Sequence, residues 1–353
     1  MDKFEEVVHN AFDFLKRSIE ELESKRIKYS VIHFYSAVEL LLKARLLKEH
    51  WALIVVKPEN ADLKSFLEGE FQSVGMKDAA LRLTNIIGQG LSDAEKDCFT
   101  NLGKHRNKMV HFTHVAQGKG NAAKKMLEEV VSEQAKGWFH LRQLLEKRWS
   151  GHFFGFLDEI QDIDMRMRKH AVYLSEKFKL LAPEMARQAK AGYGFADCPS
   201  CFYKAFRWNP PSSVGEGICQ VCELSDTTLS FKCLNCKAPT FLSGHGWGKC
   251  VACGAKYEPS VVSEVLEAQD LLKFLDPTDQ DEPSTAGCIE CDTAESLRPL
   301  PDGWFCTHCF ILVDDDEVGA CESCGGYSTG VPENSSWAGC MNCEGRAGHY
   351  RDD

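Results

Sequence analysis

The sequence predicts two parts with different folds, an all-α helical bundle followed by small β domains built around cysteine pairs. Three observations lead to this prediction. Apolar residues repeat at helical spacing through roughly the first 190 residues. Of the 17 cysteines, only Cys98 precedes residue 198. The charge changes at the same point, from 31 basic against 27 acidic residues in 1–192 to 10 against 25 in 193–353.

The helical half begins with two long segments. The stretch "FEEVVHNAFDFLKRSIEELESK" places its apolar residues on one face, and the more apolar "KYSVIHFYSAVELLLKARLLKEHW" is typical of a central, mostly buried helix. After a shorter helix around "MKDAALRLTNII", Ser92 and Glu95 form a capping box ahead of "KDCFTNLGKHRNKMVHF". We assign residues 1–150 to the bundle and 151–192 to a further helical segment, which we expect to be interrupted at Pro183.

The cysteines of the second half fall into eight C-x-x-C pairs. Two residues between the thiols let one tight turn direct both sulfur atoms at the same ion, and two such turns supply the tetrahedral four-sulfur shell that zinc prefers. Pairing neighbours in order leaves 13 to 17 residues between the two pairs of a site, which is enough for a short hairpin. The sequence therefore predicts four structural Zn2+ sites in four zinc ribbons, with the ligands Cys198, Cys201, Cys219 and Cys222, then Cys233, Cys236, Cys250 and Cys253, then Cys288, Cys291, Cys306 and Cys309, then Cys321, Cys324, Cys340 and Cys343.

The tail also contains an internal repeat. Residues 198–253 and 288–343 each span 56 positions and carry four cysteine pairs. We therefore expect one double zinc ribbon over 193–258 and a second over 288–353. A helix and an acidic linker at 259–287 join them.

Two alternatives concern the metal sites. In an interleaved arrangement, the first C-x-x-C pair would share a metal site with the third, and the second pair with the fourth. This arrangement normally needs the second and third pairs to be nearly adjacent, but they are separated by 10 residues in the first double ribbon and by 11 in the second. The sequential arrangement is therefore favoured. A catalytic zinc keeps an open position, whereas four thiolates close the shell, so we expect structural metal. Three tryptophans precede second pairs and are expected to pack over their own ribbons, namely Trp247, Trp304 and Trp337.

The charge of the two halves constrains the binding partners. The acidic second half, made more negative by four-thiolate sites, should repel nucleic acid on average, which favours a protein partner for the ribbons. The first ribbon is the local exception, because "CFYKAFRW" at 201–208 combines aromatic and basic residues that could contact RNA. The helical half has a small net positive charge and must carry any catalysis.

The sequence also predicts a compartment. We find neither a signal peptide nor an apolar run that could span a bilayer, the longest run being "WALIVV" at 51–56. Clustered cysteines in a reducing compartment indicate metal binding rather than disulfides. We therefore expect a cytoplasmic protein without membrane contact. Cys98, alone on an apolar helix face, is expected in the core rather than as a nucleophile.

One short stretch of the helical half combines the residue types that RNA cleavage requires. In "RNKMVH", Asn107 and His111 are four residues apart and share a helix face, and Arg106 lies on the neighbouring face of the same helix. Cleavage needs a base for the 2′-hydroxyl proton and an acid for the leaving 5′-oxygen, and histidine has a suitable pKa for either task. An arginine can stabilise the charge that develops on the phosphorane oxygens.

The spacing of this motif is weak evidence by itself. Arg45 and His50 also have four residues between them, on a segment that looks buried and offers the arginine no polar partner. Asn107, the basic neighbours and the helical context are what separate 106–111 from this chance match.

The combination resembles the HEPN domain, found in ribonucleases, ribonuclease-like toxins and defence proteins. The matching residues are "RNKMVH", with Asn107 in the polar position, and "FYSAVELLLKARLL" at 34–47, which is similar to the apolar helix of such domains with its embedded glutamate. The resemblance covers roughly residues 1–150. It implies a homodimer in which two motifs meet across the two-fold axis and form one cleft. It also implies metal-independent endoribonuclease activity that leaves a 2′,3′-cyclic phosphate.

Carried over to this sequence, the resemblance implies three catalytic residues. Arg106 binds the phosphate and stabilises the transition state, His111 transfers a proton or orients the substrate, and Asn107 holds the histidine or a phosphate oxygen. Glu39 is a candidate partner behind them, because a glutamate in an apolar helix needs compensation unless it faces solvent. Further candidates for contacts to the RNA backbone, if they are not simply solvated surface charges, are Lys104, His105, Lys108 and His114.

Two hypotheses of function follow. The first is a homodimeric HEPN-type endoribonuclease that acts on RNA as a toxin or an antiviral, anti-phage defence effector. Its acidic ribbons recognise a protein partner or restrain the active site. The alternative is a non-catalytic dimeric adaptor whose zinc ribbons dock a protein partner, as the length and negative charge of the tail suggest.

Overall fold

The computed structural model describes residues 2–112, 120–209, 213–244, 248–274 and 283–350. It divides into two compact units, Met1–Leu180 and Leu181–Asp353. The first unit is helical, and the second consists mainly of short β-strands around the cysteine pairs. The predicted fold class is therefore confirmed.

The first unit is built around a helical hairpin with a buried second helix. Apolar residues surround most of that helix, and Ala37, Val38, Leu41 and Leu42 are fully buried. Within the described residues, the helices of this unit, the last of which continues into the second unit, are α1 (Lys3–Glu23), α2 (Ile27–Leu47), α3 (Leu63–Glu68), α4 (Met76–Arg82), α5 (Asp93–His111), α6 (Asn121–Gln143), α7 (Ser150–Phe153), α8 (Leu157–Met167) and α9 (Ala171–Lys190).

Helix α5 is fixed at its N-terminus by side-chain hydrogen bonds. The predicted capping box is present, since the Ser92 side chain accepts from the Glu95 N–H and the Glu95 carboxylate accepts from the Ser92 N–H. Arg148 also donates to both carboxylate oxygens of Glu95, at 2.7 and 3.1 Å. The helix then runs without a break to His111 and presents its C-terminal half for other contacts.

Two glycines allow α5 to approach its neighbours closely. A Cβ added at Gly103 would lie 2.8 Å from the Tyr35 hydroxyl and 2.9 Å from ring carbons of that tyrosine. A Cβ added at Gly137, on α6, would lie 2.7 Å from a Leu102 methyl group. Both distances are too short for a real Cβ contact, so these two positions require glycine if the helices are to keep their spacing.

The break between the last two helices of the first unit does not occur at Pro183. Helix α9 continues through this proline, and the chain turns earlier, at 168–170. The turn brings the Tyr173 hydroxyl to 2.6 Å from the fully buried Asp164 carboxylate, which also accepts from Trp138 Nε1 at 3.0 Å. A buried carboxylate needs such partners, and this tertiary demand decides where the helix ends. Proline removes only one helical N–H donor, which α9 tolerates.

The first double ribbon of the second unit is one antiparallel sheet. Its strands follow the chain order, so that the sheet continues from the first ribbon into the second. A register shift between Ala196 and Asp197, which pair with Phe206 and Lys204, marks a bulge at Ala205 in the strand next to the edge strand. The strands are β1 (Gly194–Asp197), β2 (Lys204–Trp208), β3 (Ser213–Cys219), β4 (Ser225–Lys232) and β5 (Pro239–Ser243).

The second double ribbon has a different strand order from the first. Its sheet runs β10-β11-β6-β7-β8-β9, and a parallel pairing of Ser328 with Gly287 joins its two ribbons. The sequence repeat therefore predicts the spacing of the cysteine pairs but not the sheet topology. The strands are β6 (Ala286–Cys288), β7 (Thr293–Leu300), β8 (Gly303–Cys306), β9 (Leu312–Val313), β10 (Val318–Ala320) and β11 (Tyr327–Thr329).

A helix packs between the two double ribbons. Helix α10 (Pro259–Ala268) buries Val262, Val265 and Leu266 in a cluster that includes Phe231 from the first sheet and Phe305 from the second. The apolar residues of this segment continue to residue 276 and predict a longer helix. The helix ends at Ala268, because Asp270 takes a left-handed conformation. Residues 277–282 of the predicted acidic linker "PTDQDEPSTAG" lie outside the described residues, whereas its last two residues, Ala286 and Gly287, belong to β6. Among the described helices, none combines the length and apolarity needed to cross a membrane.

We expect the contact between α5 and α2 to make Gly103→Ala destabilising. The added methyl group must displace the Tyr35 ring, which costs about 1–3 kcal/mol of unfolding free energy despite the better helix propensity of alanine. Denaturant unfolding followed by far-UV circular dichroism measures this change. Gly151→Ala is the matched control, since a Cβ there meets open space. Equal stability of both variants would show that α5 can move away from α2 at no cost.

Candidate functional site

The guanidinium group of Arg106 is held from behind by two residues of α2. Its Nη2 lies 3.5 Å from Glu39 Oε2, and its Cζ lies 4.6 Å from the centre of the Tyr35 ring. The Arg106 side chain keeps 26% of its surface exposed. An ion pair and a cation–π contact on one side leave the other side of the guanidinium available to an anion.

Asn107 and His111 lie on the solvent side of the same helix. Both are exposed, and their spacing of four residues puts them on one face of α5. The apolar residues that flank the histidine are exposed as well, Val110 at 47% and Phe112 at 82%. The structure thus brings Arg106, Asn107 and His111 together on the last two turns of α5, with the arginine anchored and the other two open to solvent.

Glu39 has a second task at this site. Its Oε1 accepts the backbone N–H of Met76 at 3.2 Å, at the start of α4, where the N-cap residue Gly75 has no side chain to do so. A carboxylate at this position also interacts favourably with the helix dipole. Glu39 is therefore a half-buried residue that connects α2, α4 and α5, and not a surface glutamate.

Sequence reasoning missed the role of two neighbours of Glu39. The apolar pattern of α2 predicts a buried helix and indicates no role for Tyr35 or Lys43. Burial, reinforced by the Glu39 carboxylate, raises the pKa of Tyr35, while burial lowers the pKa of Lys43, whose Nζ donates to Ser73 Oγ at 3.0 Å. The sequence does contain a signal for these roles. Tyr35, Glu39 and Lys43 follow one another at intervals of four residues, which places three polar groups on one face of an otherwise apolar helix.

The second arginine–histidine pair differs from the motif, but not for the expected reason. Arg45 is buried and does have polar partners, since it donates to Glu49 Oε1 at 2.8 Å and to Gln89 Oε1 at 2.9 and 3.1 Å. The expectation of no polar partner was wrong. His50 Nδ1 accepts the Ala52 N–H and caps a short 3-10 turn. Both residues therefore serve local structure, and they do not share an open surface.

The other basic candidates divide into two groups. Lys104 and Lys108 are exposed on α5 and add positive charge beside the motif. His105 is half-buried, and burial lowers its pKa, so its imidazole is neutral at neutral pH and adds no charge. His114 lies outside the described residues.

Comparison with known protein families identifies the first unit. Residues 4–110 match the model of the HEPN domain. The first unit contains a HEPN domain. The match spans α1 to α5 and covers Glu39, Arg106 and Asn107, and it ends one residue before His111. No curated protein and no solved structure matches the chain.

The sixteen cysteines that follow the HEPN domain form four compact clusters. The pairs combine in sequence order, as 198/201 with 219/222 and 233/236 with 250/253, and likewise in the second double ribbon. The interleaved arrangement is therefore excluded. Within each cluster, all four sulfur atoms lie within 4.8 Å of one another.

The spacing of the sulfur atoms fits a tetrahedral metal ion. The closest Sγ–Sγ distances between the two halves of a cluster run from 3.5 Å, for Cys198 and Cys222, to 3.9 Å, for Cys236 and Cys250. A tetrahedral ion with metal–sulfur bonds of about 2.3 Å requires sulfur atoms about 3.8 Å apart. Four thiolates complete that shell, and among the described residues no other group of His, Cys, Asp or Glu forms a comparable cluster.

The backbone explains how each cysteine pair reaches this geometry. In six of the described pairs, the residue after the second cysteine donates its N–H to the carbonyl of the first, as Phe202 does to Cys198 and Gly254 to Cys250, both at 2.9 Å. Those residues have positive φ angles. The turn also points backbone N–H groups at sulfur, for example Cys222 N–H at Cys219 Sγ, which stabilises a thiolate.

The residues around the clusters differ more than the pairs themselves. Trp304 is buried against the third ribbon as expected, whereas Trp337 keeps 53% of its surface exposed and is only partly covered. Trp247 lies outside the described residues. In the second ribbon the Tyr257 hydroxyl lies 3.1 Å from Cys233 Sγ, and burial together with this contact raises the pKa of Tyr257 to about 12. The phenol therefore stays protonated and can donate to the sulfur.

The remaining cysteine lies apart from the clusters. Cys98 is buried in the HEPN core, and its thiol donates to the Glu133 carbonyl at 3.6 Å. Burial raises its pKa far above the usual value for cysteine, so it is a poor nucleophile.

Proposed function

We propose that this protein is a homodimeric, metal-independent endoribonuclease of the toxin or antiviral-defence type, acting on RNA in the cytoplasm. The observation that carries the proposal is an arginine fixed by Glu39 and Tyr35, next to an exposed asparagine and histidine on one helix face. The match to the HEPN domain supports RNA as the substrate class. The dimer places two such motifs in one cleft.

The chemistry assigned to the motif is an in-line attack by the RNA itself. A 2′-oxygen attacks the adjacent phosphorus, the 5′-oxygen leaves, and the product carries a 2′,3′-cyclic phosphate. His111 moves a proton in this step, and its exposure allows the substrate to reach it. Arg106 binds the phosphate oxygens with the side of its guanidinium that faces away from Tyr35. Asn107 is assigned a hydrogen bond to the histidine or to a phosphate oxygen.

We expect the purified protein to cleave single-stranded RNA in the presence of EDTA. Arg106→Ala and His111→Ala should each reduce the rate about 100- to 1,000-fold, because they remove charge stabilisation and proton transfer. Gel analysis of labelled RNA, with detection of the cyclic phosphate, measures this effect. Arg17→Ala and His50→Ala are matched controls on exposed residues elsewhere in the HEPN domain.

The outcome also separates the two hypotheses of function. No cleavage of any RNA pool by the wild-type protein, together with a stoichiometric protein partner whose binding survives Arg106→Ala, would replace the enzyme with a dimeric adaptor. The negative charge of the ribbon tail is the feature that favours this alternative.

Exposed apolar residues beside the motif support a dimer through this face. Val110 and Phe112 flank His111, and a contact with a second copy would remove both of these exposed apolar side chains from water. Because the partner motif would meet them across the two-fold axis, the same contact that forms the dimer would complete the cleft.

Phe112→Asp is therefore expected to give a monomer with little ribonuclease activity, because the new charge is costly to bury in an interface. Size-exclusion chromatography with light scattering should give twice the chain mass of 39.6 kDa for the wild type and a single chain mass for the variant. Phe154→Asp changes a phenylalanine of similar exposure, 74% against 82%, outside the motif and should leave the dimer intact. A monomeric wild-type protein with full activity would contradict the composite cleft.

We assign zinc to the four cysteine clusters, with a structural role. Four thiolates leave no coordination position for a substrate, so the metal folds the ribbons and takes no part in cleavage. The ribbons then serve to recognise a partner or to regulate the HEPN domain.

Elemental analysis of the purified protein should therefore find four zinc ions per chain. Cys219→Ser should lower the content to three or fewer, because serine is a poor ligand and the first cluster depends on this buried thiolate. Cys98→Ala, which removes the one cysteine outside the clusters, should retain all four. Unchanged zinc in Cys219→Ser, or a different metal, would overturn the assignment.

A further inference from the structure

We propose that the edge hairpin of the first ribbon is a binding surface for single-stranded RNA, separate from the HEPN motif. We call this surface, composed of Tyr193, Phe202, Lys204, Arg207 and Asn209, the edge-hairpin surface. The choice of RNA as ligand rests on the proposed function, but the binding itself is independent of cleavage.

The first argument is charge. Residues 187–209 carry four basic residues and one acidic residue, whereas residues 210–353 carry 8 basic against 24 acidic. The one acidic residue, Asp197, lies opposite Lys204 in the register of β1 and β2. A local basic segment in a strongly acidic unit is what contacts to phosphate groups require, and such a field would direct RNA to this hairpin and away from the other ribbons.

The second argument is an aromatic ring without a structural task. Phe202 and Phe310 occupy the same position, directly after the second cysteine of a pair and with positive φ angles of 63° and 64°. Phe310 is 8% exposed and packs in the cluster around α10. Phe202 is 82% exposed. An exposed phenyl ring next to basic residues is a stacking platform for a base, whatever its sequence.

The third argument is a pre-organised planar pair at the other end of the hairpin. The Arg207 guanidinium lies 5.0 Å from the centre of the Tyr193 ring, which is itself partly exposed. A cavity of about 300 Å³ adjoins this pair and is lined by Ala191, Gly192, Tyr193 and Asn209. The Asn209 amide can donate and accept hydrogen bonds with a base edge, while Tyr193 and Arg207 offer flat surfaces to its face.

An acidic peptide would satisfy the charges of this surface but not its shape. Phe202 and the Tyr193–Arg207 pair are two planar platforms, and Lys204 lies between them in the sequence, which matches the alternation of bases and phosphates in a single strand. Lys204 and Arg207 are three residues apart on β2, which corresponds to at most about 10 Å because the bulge at Ala205 shortens this segment. RNA is therefore the ligand that the observations favour.

The test measures binding with the full chain carrying Arg106→Ala, so that cleavage is removed. The probe is a fluorescein-labelled oligouridylate of about 12 nucleotides, and its Kd is obtained by fluorescence anisotropy. Phe202→Ala and Arg207→Gln should each weaken binding about tenfold, and Arg207→Gln should also lower the dependence of binding on salt. The matched controls Phe274→Ala and Arg298→Gln, in the same unit, should change the Kd less than about twofold.

Zinc content checks that each variant is folded. A 4-thiouridine probe should in addition cross-link to a peptide within 187–209. Unchanged affinity in Phe202→Ala and Arg207→Gln, with cross-links only in residues 1–180, would overturn the inference. Loss of polyglutamate binding but not of RNA binding in these variants would assign the surface to an acidic peptide instead. A failure of the proposed function gives a different result. In that case the wild-type protein binds the probe through residues 187–209 but does not cleave RNA.

Discussion

The absence of a side chain at Gly103 is the constraint on which the HEPN site depends. Because no Cβ intervenes, the Tyr35 ring lies directly against α5 and Arg106 can extend over it towards Glu39. The capping box and Arg148 fix the other end of α5, so the helix cannot turn to relieve a clash in its middle. The position of the arginine is thus determined by packing.

Glu39 shows how a single carboxylate can stabilise a fold and organise a site together. One oxygen binds the start of α4 and the other faces Arg106. Both oxygens belong to one carboxylate group. If one contact is lost, the group can rotate, and the geometry of the other contact changes with it. The half-buried setting makes both contacts stronger than they would be in water. The arginine therefore keeps its direction even though its far side is exposed.

Much of this arrangement could be predicted from the sequence, because it depends on local spacing. The C-x-x-C pairs, the capping box and the face shared by Asn107 and His111 are set by turns and helix geometry, and the structure has them where the pattern indicates. What could not be predicted depends on distant partners. The turn before α9 follows Asp164 and not Pro183, the partners of Arg45 come partly from Gln89, and the second sheet gains a parallel pairing that its cysteine spacing does not encode.

The shared sheets of the double ribbons have a consequence for how the protein responds to metal supply. Since β3 pairs with both β2 and β4, the strands that carry the first cluster also form one wall of the second ribbon. A metal ion bound in one cluster of this double ribbon would order strands that the other cluster also needs, so a second ion would bind there at a lower entropic cost. We therefore expect the loss of metal from one of these two clusters to weaken metal binding at the other.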